Sequence, residues 1–146
     1  MVLDWLVFRN PVCAPLQAAL DQQRVRWIAS PAMHDEMSHV LQRGLGTRWA
    51  VDETAWQAAW ARHVHWWPAP AASPALPRCT DPDDQKFIEL ALCAPARWLL
   101  TRDRALLKLR RRALAYGVEV LTPERWNATA GAVLDTPAAA SSASIS

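Results

Sequence analysis

The sequence predicts an α/β protein built on a parallel sheet. Short apolar runs bounded by polar residues occur at 25–29 (VRWIA), 97–101 (RWLLT) and 118–121 (VEVL). Helix patterns of about ten residues or more separate them, and no hairpin turn signal joins neighbouring runs. Strands alternating with helices in this way are the connection that parallel pairing requires.

Taken in order, residues 14–22 form the first helix pattern and VRWIA the first strand. Ser30 then reads as an N-cap, Pro31 takes the first helical position, and the helix runs to about Arg43 with Gly44 beyond its end. Asp52 opens DETAWQAAWARHVHWW, in which Trp56, Trp60, Val64 and Trp67 recur at helical spacing, predicting one helix with one apolar face. Five prolines (68, 70, 74, 77 and 82) follow and forbid regular structure, which makes this stretch a surface connection. Asp81 and Pro82 cap and start a helix whose Phe87, Ile88, Ala91 and Leu92 face a core. RWLLT is the second strand, a helix follows Asp103, VEVL is the third strand, and Thr122-Pro123 starts a last short helix. From about 129 to 146 the chain is mainly Ala, Ser, Thr, Pro and Gly, a composition expected to stay disordered, so the domain is expected over 1–128.

At 146 residues and 51% apolar composition the chain fits one domain with a real core. A net charge of +2 excludes partner recognition by bulk charge alone. No apolar run approaches the roughly 20 residues of a membrane helix, and the N-terminus lacks signal-peptide features, so a cytoplasmic protein with no membrane role is expected. Cys13, Cys79 and Cys93 are odd in number and without CxxC spacing, which predicts neither disulfide nor zinc.

The chemistry concentrates in CTDPDDQKFIELALCAPARWLLTRD, where Asp81, Asp83 and Asp84 crowd four positions and Asp103 follows the strand. Ligands of parallel sheets bind beyond the C-terminal ends of the strands. Asp103 follows RWLLT, Glu36 lies on the helix after VRWIA, and Asp84 joins them if its helix starts at the same edge. Three carboxylates there would hold a divalent ion suited to phosphodiester hydrolysis. Each acid also has a structural role available: Asp81 as a cap, Asp84 as compensation of a helix dipole, Asp103 as a second cap, and Glu36 as a helix-surface acid.

DPDDQKFIELALCAPARWLLTRDRALL, VRWIASPAMHDEMSHVL and VEVLTPERW together resemble the PIN-domain ribonucleases, in the branch of toxin components of toxin and antitoxin pairs, over roughly residues 2–127. The resemblance implies a three-layer α/β/α sandwich and Mg²⁺- or Mn²⁺-dependent cleavage of single-stranded RNA. The acidic site positions fall on Glu36, Asp84 and Asp103, and Thr101 matches the hydroxyl residue before the last acid. It also implies an antitoxin protein as a partner and leaves room for a homodimer. One departure stands out. Similar proteins begin with a central strand ending in Asp-Thr-Asn, whose Asp is a metal ligand. Here the early acid is Asp4, followed by Trp5 and Leu6 and preceded by three residues, so Asp4, like Asp81, is a secondary metal candidate behind Glu36, Asp84 and Asp103. The chain is therefore expected to lack that first central strand, leaving either a full nuclease with a depleted site or an impaired module that binds RNA or protein.

His63 and His65, two apart on the expected helix, point to different faces and cannot share a metal. Lys108, Arg110 and Arg111 of KLRRR are candidates for RNA phosphates or a solvated helix end. Trp27, Trp60 and Trp98 are expected in the core, and the adjacent Trp66 and Trp67 on the surface facing a partner.

Overall fold

The computed structural model describes residues 10–43, 53–71, 75–94, 96–134 and 141–145. After a 3-10 turn at Pro11–Cys13, α1 (Ala14–Asp21) leads into β1 (Val25–Ala29), α2 (Pro31–Gln42), α3 (Glu53–His63) and β2 (Val64–Trp66). A second 3-10 turn, Pro82–Asp84, opens α4 (Gln85–Cys93), followed by β3 (Trp98–Leu100), the short α5 (Arg104–Leu107) and α6 (Arg110–Leu114), and β4 (Glu119–Leu121). The chain closes with α7 (Pro123–Leu134) and β5 (Ser141–Ile145). The strands form one parallel sheet in the order β2-β1-β5-β3-β4.

Burial explains the strand sequences. All of β3 and four of the five residues of β1 are buried, as a parallel sheet covered on both faces demands. Helices cover those faces with apolar stripes: α1 buries Leu16, Ala19 and Leu20, and α4 buries Ile88, Leu90 and Ala91. Right-handed crossovers place α2, α3 and α7 on one face and α4, α5 and α6 on the other. The edge-to-face pairs Trp27–Trp60 (4.5 Å) and Trp98–Trp126 (5.9 Å) bring α3 and α7 onto the same face of the sheet. Trp27, Trp60 and Trp98 are core residues as expected, while Trp66 and Trp67 are 54% and 39% exposed.

The expected gap at the centre of the sheet is filled. β5, from the segment expected to be a disordered tail, lies between β1 and β3 and pairs with both. The helix that starts at Pro123 also continues to Leu134, past the expected boundary at 128. Register supplies the physical reason. Ala143 pairs with Trp27 on one side and Trp98 on the other, so a methyl group sits between two indoles and is fully buried. Ile145, two residues on and on the same face, pairs with Leu100 and is buried too. A small-residue composition that looked unable to fold alone is what a slot flanked by tryptophans admits. Residues 1–9, including Asp4, lie outside the described residues.

Two further expectations change. The helix read from Asp52 through Trp67 ends at His63, and Val64–Trp66 becomes the edge strand β2. Val64 and the aromatics that follow suit a strand, and pairing with Trp27, Ile28 and Ala29 overrides the helical spacing. Ser30 stands at the N-cap of α2 with extended backbone, but its side chain makes no capping bond. Among the described residues no helix is long and apolar enough to cross a membrane, and no disulfide joins the three cysteines.

Candidate metal centre

The acidic residues assemble where β3 ends. Thr101, fully buried, accepts a hydrogen bond at Oγ1 from the Asp103 N–H (3.0 Å), which fixes the turn out of the strand. Asp103 Oδ1 then accepts from the Ala105 N–H (2.7 Å) and caps α5. Across from it, Asp81 Oδ1 accepts from the Asp83 N–H (3.0 Å) and caps the turn that carries Asp84. Gln85 ties the proline-rich connection to α4: its Oε1 accepts from the Cys79 N–H (2.6 Å), and its Nε2 donates to the Pro77 carbonyl (3.2 Å) and to Glu89 (3.1 Å). One carboxylate oxygen each from Asp81, Asp84 and Asp103 thereby lies within 4.8 Å of the others.

This crowding has an electrostatic cost, visible at Asp84. Its carboxyl is pushed up to about 7, first by burial, then by hydrogen bonding with Asp103 and by the charges of Asp103, Asp81 and Glu36. The nearby Cys79 thiol is also raised, chiefly by burial, with the same three aspartates contributing. Asp84 Oδ2 is buried without a hydrogen-bond partner. An all-oxygen donor set that includes an unpartnered oxygen on a reluctantly ionised carboxylate fits a hard divalent cation, whose charge would offset the repulsion. Because Asp84 must lose its proton to bind, Mn²⁺ affinity measured by calorimetry should rise as pH increases toward and through about 7, then level off. An affinity unchanged between pH 5 and pH 8 would contradict this assignment.

The structure brings together Asp81, Asp84 and Asp103, and Asp81, read first as a cap and second as a ligand, caps the Pro82–Asp84 turn while standing in the trio. Glu36 adds its charge to the surroundings of Asp84, but its Oε2 makes an ion pair with Lys86 Nζ, and it is not part of the tight trio. Lys86 was overlooked, although its place two residues after Asp84, on the helix starting at the site, was a usable signal. His63 lies at the opposite edge, against Asp21 (3.4 Å) near the start of β1, where burial lowers its pKa. Lys108 is exposed at the end of α5, and Arg110 and Arg111 line a cavity beside β4.

A parallel α/β sheet with clustered carboxylates beyond the C-terminal ends of its strands defines an α/β domain with a candidate divalent-metal site. The family model described as PIN domain matches residues 1–105, and the chain belongs to the PIN domain family. No curated protein and no solved structure matches the chain.

Proposed function

We propose that this chain is a metal-dependent endoribonuclease of the toxin type, hydrolysing phosphodiester bonds of single-stranded RNA in the cytoplasm. The observation that carries the reading is the trio Asp81, Asp84 and Asp103 in a PIN domain, with Asp84 raised to about 7. Those residues would hold Mg²⁺ or Mn²⁺, with Glu36 adding negative charge nearby. Bound there, the ion would supply an activated water and offset charge on the scissile phosphate. Asp84 gives up its proton on loading, and the Thr101 hydroxyl keeps the Asp103 backbone in the turn that presents its carboxylate. Lys86 holds Glu36, and Lys108, on the helix that Asp103 starts, can take a backbone phosphate. An antitoxin protein is the partner this class implies.

The test uses end-labelled single-stranded RNA with Mg²⁺, with Mn²⁺ and with chelator, on the native chain and on Asp103→Asn. Asparagine caps helices as well as aspartate, so this variant removes a ligand charge while keeping α5. Metal-dependent cleavage lost in Asp103→Asn, with unchanged circular dichroism, is the expected result. Absence of cleavage by the native chain under all conditions would favour the impaired binding module instead.

A further inference from the structure

We infer that the open edge of β4 is a docking groove for an acidic, extended peptide segment that adds to the sheet as a sixth strand. A cavity of about 500 Å³ runs beside this edge, lined by Arg110, Arg111, Leu114, Val120, Leu121 and Arg125, with Glu119 at the start of the strand. β4 pairs with β3 alone among the described residues. The Glu119 N–H donates to the Arg97 carbonyl (3.0 Å), and the Leu121 carbonyl accepts from the Thr101 N–H (2.9 Å). In a parallel ladder alternate residues turn their backbone groups to opposite sides, so Val120 directs its N–H and C=O away from β3. That pair is what an added strand would bond.

The surroundings select the chemistry of the segment. Arg110 and Leu114 stand one helical turn apart on α6, with Arg111 beside them, and the adjoining Ala113 is fully buried, anchoring the helix on the sheet. Arg125 comes from the first turn of α7, on the opposite face of the sheet. Guanidinium groups therefore approach the edge from above and below, against the one acid, Glu119. Leu114 is 60% exposed and, with the half-buried Leu121, gives the groove an apolar floor. A peptide alternating acidic and apolar side chains satisfies all three features: backbone groups on Val120, carboxylates on the arginines, and apolar groups on the leucines. A nucleic acid would use the arginines and leave the strand edge and Leu114 unmatched.

The probe is a fluorescent, end-blocked octapeptide alternating Glu and Val, titrated into the full chain and followed by anisotropy. Saturable binding is expected, weakened at least tenfold by Arg125→Glu and absent for a Lys/Val peptide. An acid in the first turn of α7 suits the helix, so the variant should fold, and its circular dichroism checks this. Hydrogen exchange of the Val120 amide should slow at least tenfold on peptide binding. The inference is overturned if the Glu/Val peptide does not bind at about 1 mM, if Arg125→Glu binds it as well as the native chain, or if Val120 is unprotected in the complex. It is also overturned if Arg125→Glu weakens binding of a single-stranded RNA oligonucleotide and leaves peptide binding intact, since the groove would then be a nucleic-acid contact.

Discussion

Replacing Ala143 by Asp should abolish cooperative folding of this chain at 37 °C. Ala143 is fully buried between Trp27 and Trp98 on the adjacent strands, and Trp60 and Trp126 pack onto those two indoles. The substitution leaves a carboxylate with no partner in an aromatic layer. An uncompensated buried charge costs about 3–5 kcal/mol, and the added volume in a packed site costs about 1–3 kcal/mol more. Against a typical domain stability of about 5–15 kcal/mol, that loss equals the whole at the lower end of the range. The control is Ala128→Asp, an exposed position on α7, where the change should stay within about 0.5 kcal/mol. Thermal melts followed by near-ultraviolet circular dichroism, which reads the tryptophans, separate the two. A cooperative melt for Ala143→Asp within a few degrees of the native protein would mean that β5 is not part of the core.

Asp84→Asn should move stability and activity in opposite directions. Asp84 takes up a proton on folding between its ordinary value of 3.8 and about 7. The native state therefore binds more protons than the unfolded state in that window, and this group's contribution to stability falls as pH rises through it. Asparagine is neutral throughout and lacks that fall. The melting temperature of the variant should match the native protein near pH 4 and exceed it increasingly up to about pH 7, with metal absent. If the proposed function holds, loss of the Asp84 carboxylate should meanwhile lower Mn²⁺ affinity and RNA cleavage by more than about a hundredfold, since even supporting groups around metal ligands are worth about 10–100-fold. A variant less stable than the native chain at pH 8 would show that Asp84 is a structural cap and not a strained ligand.

Much of this was legible from local pattern. The strands β1, β3 and β4 are short apolar runs, and the Asp-Pro pair at 81–82 and Asp103 announced their caps. The acidic site was readable because its members are near in sequence or directly follow strands. What sequence could not give was information held by neighbours. β5 contains one large apolar residue, Ile145, and its small Ala143 makes sense only once Trp27 and Trp98 are known to flank it. β2 sits in a helical rhythm of tryptophans and becomes a strand because β1 offers an edge. The ion pair of Glu36 with Lys86 joins residues fifty positions apart, and no spacing rule anticipates it.

The position of β5 also bears on how the protein is made. The central strand of this sheet leaves the ribosome after all four of its companions: β4 ends at Leu121 and β5 begins at Ser141. At about 5–20 residues per second, translation needs roughly one to four seconds to cross that interval. During it the facing edges of β1 and β3 have no partner, and exposed strand edges invite pairing with other chains. Among the described strands, the nascent polypeptide thus carries a two-sided vacancy between β1 and β3 until β5 is made, and a product released before residue 141 would have those strands divided into two pairs.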